Sequence, residues 1–274
     1  MTVFAFIHHK GGTGKTTACL QSAGFLRKSN KKVLVIDIDP QANATLGLGV
    51  LPHDVPVTIY HVLLSACINH DHVPLERIII PTRSGIDLAP SNLDLIGAEP
   101  YLYQYPDRYT ILHREIEKIK DKYDYILIDT PPFLGQFVLN AILAADYPIF
   151  VFSQDVFAMA GYENIKVVCE DIHEVLGKKV IPKIAVLNRW HLKEPSGIIS
   201  SLKGKIFGKN EAFTVDTALN LSSLQEDCPH IITIPDSSGV SGSYSVGIPL
   251  AFTNSTDPAA KAYAHLSEVM MQCQ

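Results

Sequence analysis

The chain has 274 residues, 47% hydrophobic and 19% charged, with a formal net charge of -5. This supports one large α/β core, leaves too few charges for a disordered or solvating chain, and excludes a global polycation. Nucleic-acid binding therefore requires a local basic patch that neutralises phosphates. The cysteines, Cys19, Cys67, Cys169, Cys228 and Cys273, form no C-x-x-C pair. That pattern points to reduced thiols rather than a disulfide framework or a zinc site. No basic region followed by a long apolar run opens the chain, so no signal peptide is expected. No apolar stretch reaches about 18 residues, so the expectation is a cytoplasmic chain without membrane spans.

In chain order, residues 3–7 read as a buried strand, 10–14 as a loop and Lys15–Lys28 as a helix with Ala18, Leu20, Phe25 and Leu26 near one side. Further strands are read at 33–36, 125–128, 149–152, 184–187 and 231–234, with 86–89 as an additional candidate. Each is short, rich in Val, Ile, Leu or Phe, and bounded by polar or breaker residues. Helices are read at 111–122, 161–176 and 259–271, while 47–81 is the least regular stretch of the first half. Residues 193–210 are polar and lysine-bearing, and read as a helix with exposed loops. Strands alternating with helices imply βαβ units, so the expected fold is a single α/β domain over residues 1–274, a mostly parallel twisted sheet covered by helices on both faces.

The order strand, Lys10-Gly-Gly-Thr-Gly-Lys-Thr-Thr17, helix is the context that a phosphate-binding loop requires. Gly11, Gly12 and Gly14, with Thr13 between them, let backbone N–H groups face phosphate oxygens without a clashing Cβ. The helix start adds unsatisfied donors and partial positive charge. Lys15 is placed to bridge the β- and γ-phosphates, the Thr16 hydroxyl to ligate Mg²⁺, and Thr17 to reach the α-phosphate region. Asp129 ends a strand beside the loop, where a carboxylate can hold a water of the Mg²⁺ shell; its structural alternative is a cap before Thr-Pro-Pro. Asp37 and Asp39 stand two apart on one strand and so share a side. One or both can orient an attacking water, and Asp37 reads equally well as a buried structural carboxylate. The strict pattern G-x-x-x-x-G-K-[ST] fails at its first position, His9.

That failure, with the added Lys10, resembles the deviant Walker A motif of the ParA/MinD family of ATPases. Lys32-Val-Leu-Val-Ile-Asp-Ile-Asp-Pro-Gln-Ala-Asn-Ala-Thr-Leu-Gly-Leu-Gly49 resembles the Walker A′ segment of the ParA branch. Ala89-Pro-Ser-Asn-Leu-Asp-Leu-Ile-Gly-Ala-Glu99 is similar to a second ParA signature, and Tyr123-Asp-Tyr-Ile-Leu-Ile-Asp-Thr-Pro-Pro132 to Walker B. Leu139–Asp146 and Phe157–Gly161 continue the likeness, which is dense over residues 3–161 and thin to Tyr263. The resemblance implies a P-loop NTPase fold, ATP and Mg²⁺ as cofactors, and a homodimer formed with ATP in which Lys10 reaches the partner's nucleotide. It implies that Asp39 serves the catalytic step and that Asp37 supports the Mg²⁺ site. It further implies that Asn188, Pro235 and Asp236 line the adenine; their structural alternatives are a strand-end turn and a loop cap.

ParA-type proteins bind DNA non-specifically as ATP dimers, and a ParB-like or other partner stimulates hydrolysis to partition plasmid or chromosome DNA or position another cargo. The resemblance therefore implies a nucleoid-associated switch. One departure stands out: the family's turn after the last strand often reads Ile-Pro-Arg, with a DNA-contacting arginine, whereas this chain has Ile234-Pro-Asp-Ser-Ser-Gly239. Arg189, Lys193, Lys203, Lys205 and Lys209 form a candidate compensating patch, with an ordinary solvated face as its alternative. A second functional reading is a nucleotide-dependent scaffold that positions a protein array without DNA. The last residues carry no cationic helix face of the MinD type, so membrane binding is not expected. Cys67 and Cys169 do not match the cluster cysteines of the nitrogenase iron protein. Ligases resembling dethiobiotin synthetase lack the Lys10 signature.

Overall fold

A computed structural model describes residues 1–68, 71–153, 156–180, 182–189 and 224–273. Eight strands form one sheet: β1 (Thr2–Ile7), β2 (Val33–Asp37), β3 (Ile80–Pro81), β4 (Asp87–Ala89), β5 (Tyr125–Asp129), β6 (Tyr147–Ser153), β7 (Ile184–Asn188) and β8 (His230–Ile234). Their order is β3-β4-β2-β5-β1-β6-β7-β8. Every pairing is parallel except β3 with β4. The mostly parallel sheet read from the sequence is therefore present, and the C-terminal ends of β1, β2, β5, β7 and β8 share one edge. In open α/β sheets that edge is where ligands bind.

Alternation along each strand builds two cores. Val3, Ala5 and Ile7 of β1, with Ile126 and Ile128 of β5, pack with the helices Ile59–Cys67, Ile111–Glu117, Gln136–Ala144 and Val156–Leu176. Phe4 and Phe6, with Tyr125 and Leu127, face the helices Lys15–Lys28 and Pro258–Gln272 on the other side. Each such buried side chain contributes about 1.5–3 kcal/mol relative to exposure. A strand covered on both faces reads as a continuous apolar run, which is why period-2 alternation was absent from the sequence.

The helix Lys15–Lys28 has the bounds expected. The helix read at 111–122 instead ends at Glu117, and a separate 3-10 turn covers Lys120–Lys122. Ile119 N–H bonds Ile116 O at 3.0 Å, a three-residue step that tightens the chain out of the α register. The stretch read as least regular holds the helices Ile59–Cys67 and Leu75–Ile78. The first is fixed by reciprocal capping between Thr58 and His61, a His in the place where Glu or Gln is usual. Gln136–Ala144 was missed because it is apolar nearly all round and shows no stripe. The segment 193–210 lies outside the described residues. Among the described residues, no helix is long and apolar enough to cross a membrane.

Candidate active site

The loop after β1 turns on two left-handed glycines, Gly12 (φ 79°) and Gly14 (φ 99°). Gly14 is constrained twice: a Cβ there would stand 2.0 Å from Asn188 Nδ2. Gly14 O accepts from Ala18 N–H at 2.8 Å and so starts the helix. The cap residue offers no side chain and the first turn holds no acidic residue. Its N–H groups are thus left to a ligand, the arrangement that favours an anion. Lys10 opens the loop half-buried; its N–H donates to His8 Nδ1 at 3.0 Å, and its carbonyl accepts from Lys15 Nζ at 3.4 Å. Thr13 is buried, and Pro132 of the Thr-Pro-Pro run reaches the loop at Gly11.

Charge concentrates beneath the loop. Lys15 is 6% exposed, Asp39 5%, and Asp37 and Asp129 0%. Asp37 and Asp129 are register partners on adjacent parallel strands, so their side chains leave the sheet on one side. Burial pushes the Asp37 carboxyl up to about 7, against the opposing bonds from Thr45 and Asp39. Burial also raises Asp129 well above the carboxylate range, Asp37 adds to the rise, and Thr16 and Lys15 resist it. Desolvation lowers Lys15, while Asp129 and Asp39 pull it back. Burial thus works against the charged form of each of these groups, an electrostatic cost that a bound cation would offset.

Asp39 lies just past the end of β2 rather than on it. Its N–H donates to Asp37 Oδ1 at 3.1 Å, and its own Oδ1 accepts from Gln41 N–H at 2.9 Å. Asp37 Oδ2 takes the Thr45 N–H at 2.8 Å and the Thr45 hydroxyl at 2.7 Å. Thr45 Oγ1 in turn accepts from Ser91 N–H at 3.0 Å. Asp37 thus ties together the segments 32–49 and 89–99, which gives those two sequence signatures a shared structural reason. Thr45 and Ser91 went unnoticed as partners because they meet only in space.

The Thr16 hydroxyl donates to Asp129 Oδ2 at 2.7 Å, while Asp129 Oδ1 is buried without a hydrogen-bond partner. A hydroxyl and an orphaned carboxylate oxygen at one spot suit a hard cation that keeps its waters and takes phosphate oxygens. Among the described residues there is no cluster of three or more His, Cys, Asp or Glu able to cage a metal by themselves. The residues therefore fit Mg²⁺ carried in with a phosphate ligand.

Gly11, Gly12, Gly14, Lys15, Thr16, Thr17 and Asp39 open on one cleft of about 600 Å³ with Asn188, Arg189, Pro235 and Asp236 at its other end. Asn188 Nδ2 donates to Thr13 O at 2.9 Å. Asp236 is exposed. Tyr244, from the helix Ser238–Val246, donates its hydroxyl to Thr17 Oγ1 at 3.0 Å and lines the same cleft, as does Tyr263. Neither tyrosine is among the site residues expected from the sequence. Of the candidate basic patch, Arg189 belongs to the cleft, where its guanidinium donates to Gly12 O; Lys193, Lys203, Lys205 and Lys209 lie outside the described residues.

An AAA-domain family profile matches residues 1–181. The chain is 36% identical to the sporulation initiation inhibitor protein Soj of Bacillus subtilis over 163 residues, 60% of this chain and 62% of that one. It is 33% identical to the chromosome partitioning protein ParA of Myxococcus xanthus, over 60% of this chain and 56% of that one. The chain belongs to the ParA/MinD family of deviant Walker A ATPases. An uncharacterised protein of Methanocaldococcus jannaschii matches at 30% identity over 99% of both chains. The chain spans less than two thirds of the length of Soj and ParA, and 60% of a 37%-identical Pseudomonas putida protein. Solved structures share the fold. A cobyrinic acid a,c-diamide synthase from Mycobacterium smegmatis, with a bound ATP analogue and magnesium, superposes with TM-score 0.78 at 24% identity, over 99% and 94% of the two chains. The ATP complex of a single-residue variant of Cyanothece McdA gives TM-score 0.78 at 20% identity, over 99% and 96%. At these identities the likeness concerns the fold.

Proposed function

We propose that this family member is a Mg²⁺-dependent ATPase that works as an ATP-dependent dimer switch. The observation that carries the reading is the convergence of the glycine loop, Lys15, Thr16 and Asp39 on a single cleft, with buried Asp129 accepting from the Thr16 hydroxyl behind its wall. Its volume of about 600 Å³ falls within the range of small-molecule sites. The bound relatives support ATP as the ligand.

Phosphoryl transfer asks a protein for positioning and charge neutralisation more than for covalent chemistry. Lys15 and the loop N–H groups neutralise the β- and γ-phosphates. Thr16 and Asp129 are the residues that would hold Mg²⁺, which would supply charge neutralisation at the phosphates. Asp39, beside Lys15 at the cleft wall, orients the attacking water, and Asp37 holds Asp39 and the short helix Asn43–Gly47 in place. Lys10 acts across the dimer on the partner's nucleotide. Base recognition falls to the β7–β8 end of the cleft, at Asn188, Pro235 and Asp236.

The switch controls non-specific DNA binding, released when a ParB-like activator stimulates hydrolysis, and so partitions DNA or positions another cargo. The residues assigned to DNA contact are Arg189, Lys193, Lys203, Lys205 and Lys209, of which Arg189 alone lies among the described residues. A second reading, a nucleotide-dependent scaffold for a protein array, is favoured by exposed Asp236, which stands where the family turn often carries an arginine.

Turnover of wild type, Lys10→Ala, Lys15→Ala and Asp39→Ala, with molecular size measured in ATP, tests the switch. If Lys10→Ala dimerises and hydrolyses as wild type does, the role across the dimer is wrong. Gel shifts with a non-hydrolysable ATP analogue separate the two cargo readings. Binding that weakens with salt and is reduced in a Lys203/Lys205/Lys209 triple variant supports DNA. No shift at any salt leaves the scaffold.

A further inference from the structure

Two consecutive residues at the end of β7 grip two consecutive carbonyls of the phosphate loop. Asn188 Nδ2 donates to Thr13 O at 2.9 Å, and the Arg189 guanidinium donates through Nη2 to Gly12 O. In a trans peptide the C=O and the following N–H point to opposite sides. Drawing Gly12 O and Thr13 O toward β7 therefore turns the N–H groups of Thr13 and Gly14 away from that strand. Those N–H groups are the donors that a phosphate-binding loop offers.

The local structure is built for this grip. Arg189 adopts φ 53°, a left-handed conformation that a non-glycine residue holds only when its surroundings compensate the strain. This turn carries its side chain back over the loop. Asn188 is 5% exposed, and its amide nitrogen occupies the space that a Cβ at Gly14 would fill. The Tyr263 hydroxyl stands 3.5 Å from Asn188 Oδ1 and orients the amide with its nitrogen toward the loop. Both residues line the cleft, so the grip is part of the ligand site.

We infer that Asn188 and Arg189 are positioning residues, a clamp that presets the phosphate loop for the triphosphate whatever base it carries. This rests on the reading that the cleft takes a nucleoside triphosphate, and it gives Asn188 a task separate from base contact.

The test titrates the full chain with Mg²⁺ and three probes, ATP, GTP and inorganic tripolyphosphate, in wild type, Asn188→Ala, Arg189→Gly and Arg189→Lys, with thermal midpoints recorded alongside. Each truncation is expected to weaken all three probes by one common factor, roughly two- to tenfold for the loss of one hydrogen bond. Arg189→Lys recovers part of the loss, since an ammonium can still donate to Gly12 O. Arg189→Gly keeps or raises the thermal midpoint, because glycine adopts φ 53° without strain; lost affinity then cannot be assigned to lost folding. The clamp is overturned if Arg189→Gly binds every probe as wild type does. It is equally overturned if Asn188→Ala weakens ATP alone and leaves tripolyphosphate unchanged, the result for a pure base contact. Wild type that binds none of the probes overturns the proposed function and the clamp with it; wild type that binds ATP beside equally competent variants overturns the clamp alone.

Discussion

Beneath the glycine loop, Lys15, Asp37, Asp39 and Asp129 are all buried and hydrogen-bonded, Lys15 to Lys10 O, Asp37 to Thr45 and the Asp39 N–H, Asp39 to the Gln41 N–H, and Asp129 to the Thr16 hydroxyl. At the β7–β8 end, Arg189 and Asp236 are exposed, and the wall is made of turns after β7 and β8. The difference is one of electrostatic cost. Charges taken out of water must be compensated locally, so the phosphate end tolerates few residue types at fixed spacing. The exposed end is screened by solvent and tolerates many. Substitutions should therefore be severe at the first end and mild at the second, and four measurements can break that expectation.

The largest effect is expected for Lys15→Ala. Loss of a preorganised cation at a water-poor site should lower ATP turnover about 10²–10³-fold, measured as kcat under saturating Mg²⁺ and ATP. Turnover within a factor of two of wild type would remove Lys15 from the chemistry.

Gly14→Ala comes next, because it joins the two ends. The new Cβ would meet Asn188 Nδ2 at 2.0 Å and force an alanine to φ 99°, at a cost of about 2–4 kcal/mol. Chemical denaturation should show this loss. A Gly14→Ala/Asn188→Ala double variant should recover only part of it, since the backbone strain persists. Full recovery would mean that the clash alone matters; no recovery would mean that the ends are uncoupled.

A third measurement uses pH. Burial raises Asp37 from 3.8 to about 7, and raises Asp129 and Asp39 as well. A carboxyl whose folded value is raised contributes stability that is complete below its unfolded value and is lost as pH rises through the folded value. The thermal midpoint of the ligand-free chain should thus carry a falling component between pH 4 and 7, the span of the Asp37 shift. Mg²⁺ with nucleotide should stabilise the chain more at pH 8 than at pH 5, where protons compete with the cation. A stabilisation independent of pH would show that the cluster is ionised without ligand.

The smallest effect is expected at Asp236. Replacement by alanine should change ATP affinity by less than about threefold, in keeping with a solvent-screened group. Asp236→Arg restores the residue often found in the family turn. It should strengthen salt-sensitive DNA binding and steepen the salt dependence by about one phosphate contact. An unchanged gel shift would count against DNA contact at this turn.

The sequence by itself determined the strand–loop–helix that carries the phosphate loop, the parallel sheet, and the candidates Lys15, Thr16, Asp39 and Asp129. Their physics is local: glycine freedom, helix-end charge and short apolar runs are written in neighbouring residues. Only the tertiary structure decided that Asp37 holds Thr45, that Thr45 holds Ser91, that Tyr244 meets Thr17, and that Arg189 turns onto Gly12. Those partners are as many as 227 positions apart. They come together because parallel strands place their C-terminal ends along one edge, and no spacing within the chain encodes which side chain will meet which there.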